Sequence, residues 1–128
     1  MGLDNGLMIR GKNHKNLNLP HKTNDYWSED TEICYWRKFW GGFRNDVVEC
    51  FEQSEPCADI SLTLDDLSAI ITLLERYLDR EWFDCYADSP WEYEEYLIYI
   101  IHNIENINAL IDYMTDYPGV ECYFYDSY

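Results

Sequence analysis

Between Ser89 and Gly119 the sequence spells out one long amphipathic helix, and a chain of 128 residues has few ways to bury it. Ser89-Pro90-Trp91-Glu92 combines a capping serine, a proline at the first helical position and a capping-box glutamate. Leu97, Ile100, Ile104, Ile107, Ile111 and Met114 then recur at spacings of three and four, and Pro118-Gly119 stops the run. About 27 residues at 1.5 Å each make an element roughly 40 Å long.

Two further helices are expected upstream. Thr63 can cap the second, with Asp66 completing a capping box and Leu62 stapling to Leu67. Leu67, Ile70, Ile71, Leu74 and Leu78 form its apolar stripe, and Arg76 and Arg80 fall toward its C-terminus, where the macrodipole favours cations. The first helix is expected over Glu32–Glu52, because Ile33, Trp36, Trp40, Phe43, Val47 and Cys50 share one face at helical spacing. Gly41 and Gly42 interrupt it at a cost of about 1 kcal/mol each against alanine.

The two ends of the sequence read as strands. Asp4-Asn5-Gly6 suggests a turn before the apolar Leu7-Met8-Ile9, and Val120–Tyr125 alternates as a half-buried strand does. Paired together, they give the expected architecture: one α+β domain over residues 1–128, with three helices against a small antiparallel sheet made by the N- and C-terminal strands. Residues 11–30, rich in Asn and Lys with Pro20, His14 and His21, read as a mobile basic loop.

Charge narrows the functional classes. Residues 1–22 hold Arg10, Lys12, Lys15 and Lys22 against Asp4, a net of +3. From residue 23 onward, 24 acids face five bases, a net of −19, which gives −16 for the chain. From Glu81 to Tyr128 there are eleven acids and no Lys or Arg. Such a surface repels nucleic acid and membranes and attracts basic proteins at long range. Nine of the twelve tyrosines lie in the same stretch, which separates it from solvating acidic tails, poor in aromatics, and fits an interface anchored by tyrosine.

Chemistry finds little support. Cys34, Cys50, Cys57, Cys85 and Cys122 show no C-x-x-C spacing, and His14, His21 and His102 are scattered, so no metal or cofactor is expected. Of the cysteines only Cys34 has basic neighbours in sequence, Arg37 and Lys38, and a thiolate nucleophile needs such company. Gly41-Gly42 is not a phosphate-binding loop. No signal peptide is visible, and position 6 is Gly6 where a myristoylation motif wants Ser or Thr. The expectation is a cytoplasmic protein with reduced thiols, and not an enzyme.

The opening Met1-Gly2-Leu3-Asp4, with the later Glu32-Ile33-Cys34-Tyr35-Trp36-Arg37-Lys38, resembles a family of small uncharacterised phage and prophage proteins. They share the Met-Gly-Leu-Asp start, a Tyr-Trp-Arg-Lys helix and an aromatic C-terminal strand. The resemblance implies a phage or prophage origin and supplies no catalytic residues.

The expected function is an acidic inhibitor that imitates nucleic acid and occupies a basic, nucleic-acid-binding surface of a host defence nuclease, of anti-CRISPR or anti-restriction type. On the long helix, Glu92 and Glu95 are neighbours, as are Asp112 and Asp116, with Tyr93, Tyr96 and Tyr99 beside the first pair. These seven residues are the expected partner-binding set. DNA carries one charge per roughly 1.7 Å of axis, so carboxylates on a rigid helix can imitate part of that array. The alternative is an acidic interaction or self-associating module that does not imitate nucleic acid. A small enzyme comes third.

Overall fold

Strands from opposite ends of the sequence form the middle of the sheet. The computed structural model describes residues 4–22, 29–36, 47, 49–51, 60–81 and 93–127. Strand β1 (Asp4–Ile9) runs antiparallel to β4 (Cys122–Ser127), from Asp4 opposite Ser127 to Ile9 opposite Cys122. This is the pairing expected of the two terminal strands. Strand β2 (Thr31–Tyr35) takes the other edge of β1, and the short β3 (Ile60–Leu62) the other edge of β4. The order is β2-β1-β4-β3, with every neighbouring pair antiparallel.

Asp4-Asn5-Gly6 is not a turn but the first half of β1. Gly6 lies opposite both Tyr35 and Tyr125. A Cβ built there would stand 2.0 Å from the Cys34 carbonyl oxygen, so the position has room only for glycine.

The α+β class holds, but the three-helix core does not. Among the described residues two helices stand out, α1 (Leu64–Arg76) and α2 (Tyr93–Asp116). Residues 32–35, expected as the start of the first helix, belong to strand β2. Helical spacing in a short apolar run does not separate helix from strand. Here Thr31, Ile33 and Tyr35 are β-branched or aromatic, and pairing with β1 decides the matter. The register slips between Leu7, opposite Cys34, and Met8, opposite Glu32. Ile33 is the extra residue of this bulge, and Ile33 and Cys34 are both buried in the core. Further along, residues 47 and 49–50 are helical, while Gly41 and Gly42 lie outside the described residues.

Helix α1 starts as its sequence predicts. Thr63 is the N-cap, its hydroxyl accepting from the Asp66 N–H at 3.2 Å while the Asp66 carboxylate accepts from the Thr63 N–H at 2.8 Å. Leu67, Ile70, Leu73 and Leu74 are buried. Helix α2 is rotated relative to expectation. Ile100, Ile107 and Met114 are buried as predicted, but Leu97, Ile104 and Ile111 are only partly covered. Tyr96, Asn103, Asn106 and Leu110 complete the buried stripe. The start signal at Ser89-Pro90 lies outside the described residues.

The buried asparagines are paired, as burial demands. Asn103 accepts from the Trp36 indole N–H at 2.8 Å and donates to the Tyr99 carbonyl at 2.7 Å. Asn106 donates to the Ile33 carbonyl at 3.0 Å and to the His21 carbonyl at 2.7 Å, and accepts from the His21 N–H at 3.0 Å. Three residues apart, they join α2 to β2 and to the segment that precedes it.

One face of the sheet packs on the helices through Leu7, Ile9, Cys122 and Phe124. The other gathers Met8, Tyr123, Tyr125 and Tyr35 into a second cluster. There Arg10 lies 4.0 Å from the Tyr123 ring centre and 3.5 Å from Asp30, to which the Tyr123 hydroxyl also donates. Partial burial raises the Asp30 pKa, but the Tyr123 hydroxyl, the Gly11 N–H and the Arg10 charge outweigh it and hold the carboxyl below its ordinary 3.8. A lowered carboxyl stabilises the fold above its unfolded pKa, and the contribution is lost as pH falls through the folded value. Asp30→Asn is therefore expected to cost about 1–2 kcal/mol at pH 7, toward the lower end for hydrogen bonds to a charged group because Asp30 and Arg10 are partly exposed. Once the pH falls below the lowered folded-state pKa of Asp30, the two proteins should converge in urea denaturation. A difference that persists there would assign the loss to packing.

Candidate interaction face

Helix α2 presents its outer side along its whole described length. Glu94, Glu95, Ile98, Ile101, Glu105, Asn108, Asp112, Thr115 and Asp116 are exposed and recur at the helical period. At 1.5 Å per residue, Glu95 and Glu105 stand about 15 Å apart, Glu105 and Asp112 about 10 Å, and Asp112 and Asp116 about one turn. Ile98 and Ile101, 56% and 41% exposed, occupy the gap between the first two acidic positions. The face is thus acid, then apolar, then acid.

The seven expected partner-binding residues divide. Glu95, Asp112 and Asp116 are exposed on this face. Glu92 lies outside the described residues. The tyrosine row does not form on the surface. Tyr96 is 1% exposed and belongs to the core, because its position falls on the inward side with Ile100 and Asn103. Tyr93 is partly buried, donates its hydroxyl to the Leu78 carbonyl and carries the Arg80 guanidinium 4.8 Å above its ring. Tyr99 is half-buried, and its carbonyl takes the Asn103 amide. Removing Tyr96 from the set leaves Ile98 and Ile101 as the apolar element of the face. Both isoleucines fall off the stripe through Ile100, Ile107 and Met114 that the rotation of α2 buries.

Residues 11–22 of the basic segment lie against the C-terminal half of α2. The Tyr113 hydroxyl meets His14 Nδ1 at 2.8 Å, while His14 Nε2 bonds the Arg10 carbonyl at 2.7 Å. Asn16 donates to the Tyr117 hydroxyl at 2.6 Å. His21 stacks on His102, with centroids 3.6 Å apart, and meets Glu105 at 3.1 Å. Leu17 and Leu19 pack against the core. The last turn of α2 has no basic residue of its own, and Lys15 lies in sequence between His14 and Asn16, which meet Tyr113 and Tyr117. Residues 23–28 of the expected mobile loop lie outside the described residues.

The two buried thiols among the described residues are poor nucleophiles. Cys34 is buried, its thiol donating to the Asn103 carbonyl at 4.0 Å, and burial with the neighbouring Cys122 and Glu32 pushes its pKa well up. The expected influence of Arg37 and Lys38 falls outside the described residues. Burial raises Cys122 to about 12. Cys50 is free and exposed. Among the described residues no three His, Cys, Asp or Glu side chains stand together as a metal site, and no helix is long and apolar enough to cross a membrane.

Comparison with protein-family models, curated proteins and solved structures finds no match to this chain.

Proposed function

We propose that this protein is an acidic inhibitor whose α2 face occupies a basic, nucleic-acid-binding surface on a host defence nuclease. The supporting observation is the exposed run Glu94, Glu95, Glu105, Asp112 and Asp116 on one rigid helix, in a stretch with no Lys or Arg from Glu81 to Tyr128. Carboxylates held on a helix approach a Lys- and Arg-lined groove without an ordering cost, and long-range attraction raises the encounter rate. The resemblance to small phage and prophage proteins fits a role in blocking host defence, in the host cytoplasm and without a cofactor.

A specific observation favours a second reading. Ile98 and Ile101 interrupt the acids, and a phosphate array has no apolar gap of that kind. An acidic interaction module that buries the two isoleucines against a basic-apolar partner surface, without imitating nucleic acid, uses the same face.

One experiment separates the readings. DNA cleavage by restriction nucleases and by guide-loaded CRISPR effectors is measured with and without the protein, and the bound target is then titrated with DNA. Mimicry predicts that at least one nuclease is inhibited, that DNA raises the apparent inhibitor Kd in proportion, and that kon falls about tenfold or more from low to physiological salt. Reversal of Glu95, Glu105, Asp112 and Asp116 to Lys is expected to abolish inhibition while circular dichroism stays unchanged. A ternary complex of nuclease, DNA and inhibitor would eliminate occlusion and leave the module reading.

A further inference from the structure

The outer side of α2 is spaced as a seam. Glu94, Ile98, Ile101, Glu105, Asn108 and Asp112 follow one another at alternating steps of four and three, and each is exposed. That alternation is the period at which one helix keeps a single edge turned toward another wound alongside it. The inward stripe through Tyr96, Ile100, Ile107 and Leu110 is already packed in the domain core. Chemistry changes along the seam. Ile98 and Ile101, 56% and 41% exposed, are neighbours on the helix surface. Glu94 stands about one turn before the first and Glu105 about one turn after the second. The Glu105 side chain stays 50% exposed while its carboxylate meets His21 Nε2 at 3.1 Å.

We propose that this seam docks a basic amphipathic helix of another protein, with two apolar side chains on Ile98 and Ile101 and a Lys or Arg reaching Glu94 on one side and Glu105 on the other. The proposal rests on the module reading of the α2 face and names the partner of that face. Charge selects the occupant. In a second copy of this chain, antiparallel pairing at the isoleucines would set Glu94 against Glu105, and parallel pairing would set each acid against itself. Like charges placed opposite each other oppose such a contact. A Lys or Arg at the same two places reverses the sign, and the stretch from Glu81 to Tyr128 carries no Lys or Arg to repel it. With helix axes about 8–10 Å apart, a Lys or Arg stem can cover the isoleucines while its charged end reaches the acid.

A peptide of about 18 residues, roughly 27 Å as a helix, matches the run from Glu94 to Asp112. Built from Lys and Leu with Leu at helical steps, it is titrated into the whole protein at physiological salt and followed by amide NMR. The comparisons are a peptide of the same composition with Lys and Leu alternating, as in a strand, and oligolysine of the same length. The helical peptide is expected to shift the resonances of residues 94–112 saturably and to bind at least about fivefold more tightly than either comparison. Ile98→Ser/Ile101→Ser should raise its Kd about tenfold or more and leave oligolysine binding unchanged. Glu94→Gln/Glu105→Gln should raise it about threefold or more. All four positions are exposed, so the rest of the spectrum is expected to persist as proof of folding. An alternating peptide that binds as tightly, with the same loss in the isoleucine variant, would overturn the helix as partner and leave the module reading standing. A helical peptide whose Kd ignores the isoleucines would overturn both. A dimer of the protein alone in sedimentation, dissolved by Ile98→Ser/Ile101→Ser, would assign the seam to a second copy and overturn the proposal.

Discussion

Gly6→Ala is expected to cost about 3 kcal/mol or more and to move the urea unfolding midpoint sharply down. The added methyl would stand 2.0 Å from the Cys34 carbonyl oxygen and 3.1 Å from the Tyr125 ring. The nearest obstacle is backbone of β2, so no side-chain rotation relieves it. Either β2 separates from β1 or β1 bends away from β4. Overpacking a well-filled site costs about 1–3 kcal/mol where side chains can shift. Here a ladder must shift too, in a domain whose whole stability is on the order of 5–15 kcal/mol. Gly119→Ala is the control, since a Cβ there meets nothing within 4 Å, and it should fall within about 0.5 kcal/mol of wild type. Urea denaturation of the two variants reads both. A stable Gly6→Ala protein would mean that the β1–β2 pairing yields easily.

Asn106→Leu is the second large loss, expected at about 2–4 kcal/mol. Leucine suits the volume and the neighbours, Ile107 and Leu110, yet it strands three backbone groups at once. The Ile33 carbonyl sits in the core strand, and the His21 N–H and carbonyl anchor the preceding segment. A buried polar group left unsatisfied costs about 1–3 kcal/mol, while water can reach the His21 pair and reduce its share. Amide exchange gives the second readout, with faster exchange at His21 than in β1. The neighbouring Asn103→Leu should cost less, about 1–3 kcal/mol, because it strands the Trp36 indole N–H alone. Adding Trp36→Phe to Asn103→Leu should recover part of that loss. Equal losses in the Asn103 and Asn106 variants would refute a role for Asn106 in holding the segment.

These two residues also mark what the sequence could and could not reveal. The α1 cap was legible because Thr63 and Asp66 satisfy each other over three residues. The pairing of the terminal strands was legible as two short apolar runs with no other partner in view. Helix α2 was legible in type and in its C-terminal end, but not in rotation. The apolar stripe expected through Leu97, Ile104 and Ile111 leaves out Asn103 and Asn106, and Tyr96 is expected among the partner-binding tyrosines. Their burial depends on partners far away in the chain, Trp36, Ile33 and His21, which no local pattern announces. Residues 32–35 failed for a related reason. Ile33 and Trp36 stand three apart on a helix, but on a bulged strand Ile33, Cys34 and Trp36 are all buried as well. Of the interaction face, the acids were visible from charge alone. The isoleucines between them emerged only when the rotation of α2 was known.

The middle of the sheet carries a consequence for how the chain comes into being. β1 leaves the ribosome before the other three strands, yet one of its two neighbours, β4, is the last of the four to be made. Until Cys122–Ser127 is synthesised, β1 has only the bulged β2 beside it, and its other edge is an open template for any extended chain. Pairings this distant in sequence pay their loop-closure entropy before any contact rewards it, so folding waits for the whole chain and runs in the slow range of mixed domains. Acid-rich stretches between the two strands keep the waiting chain soluble by mutual repulsion. The same negative charge proposed to draw a partner to the finished protein would thus also guard the unfinished one from its siblings.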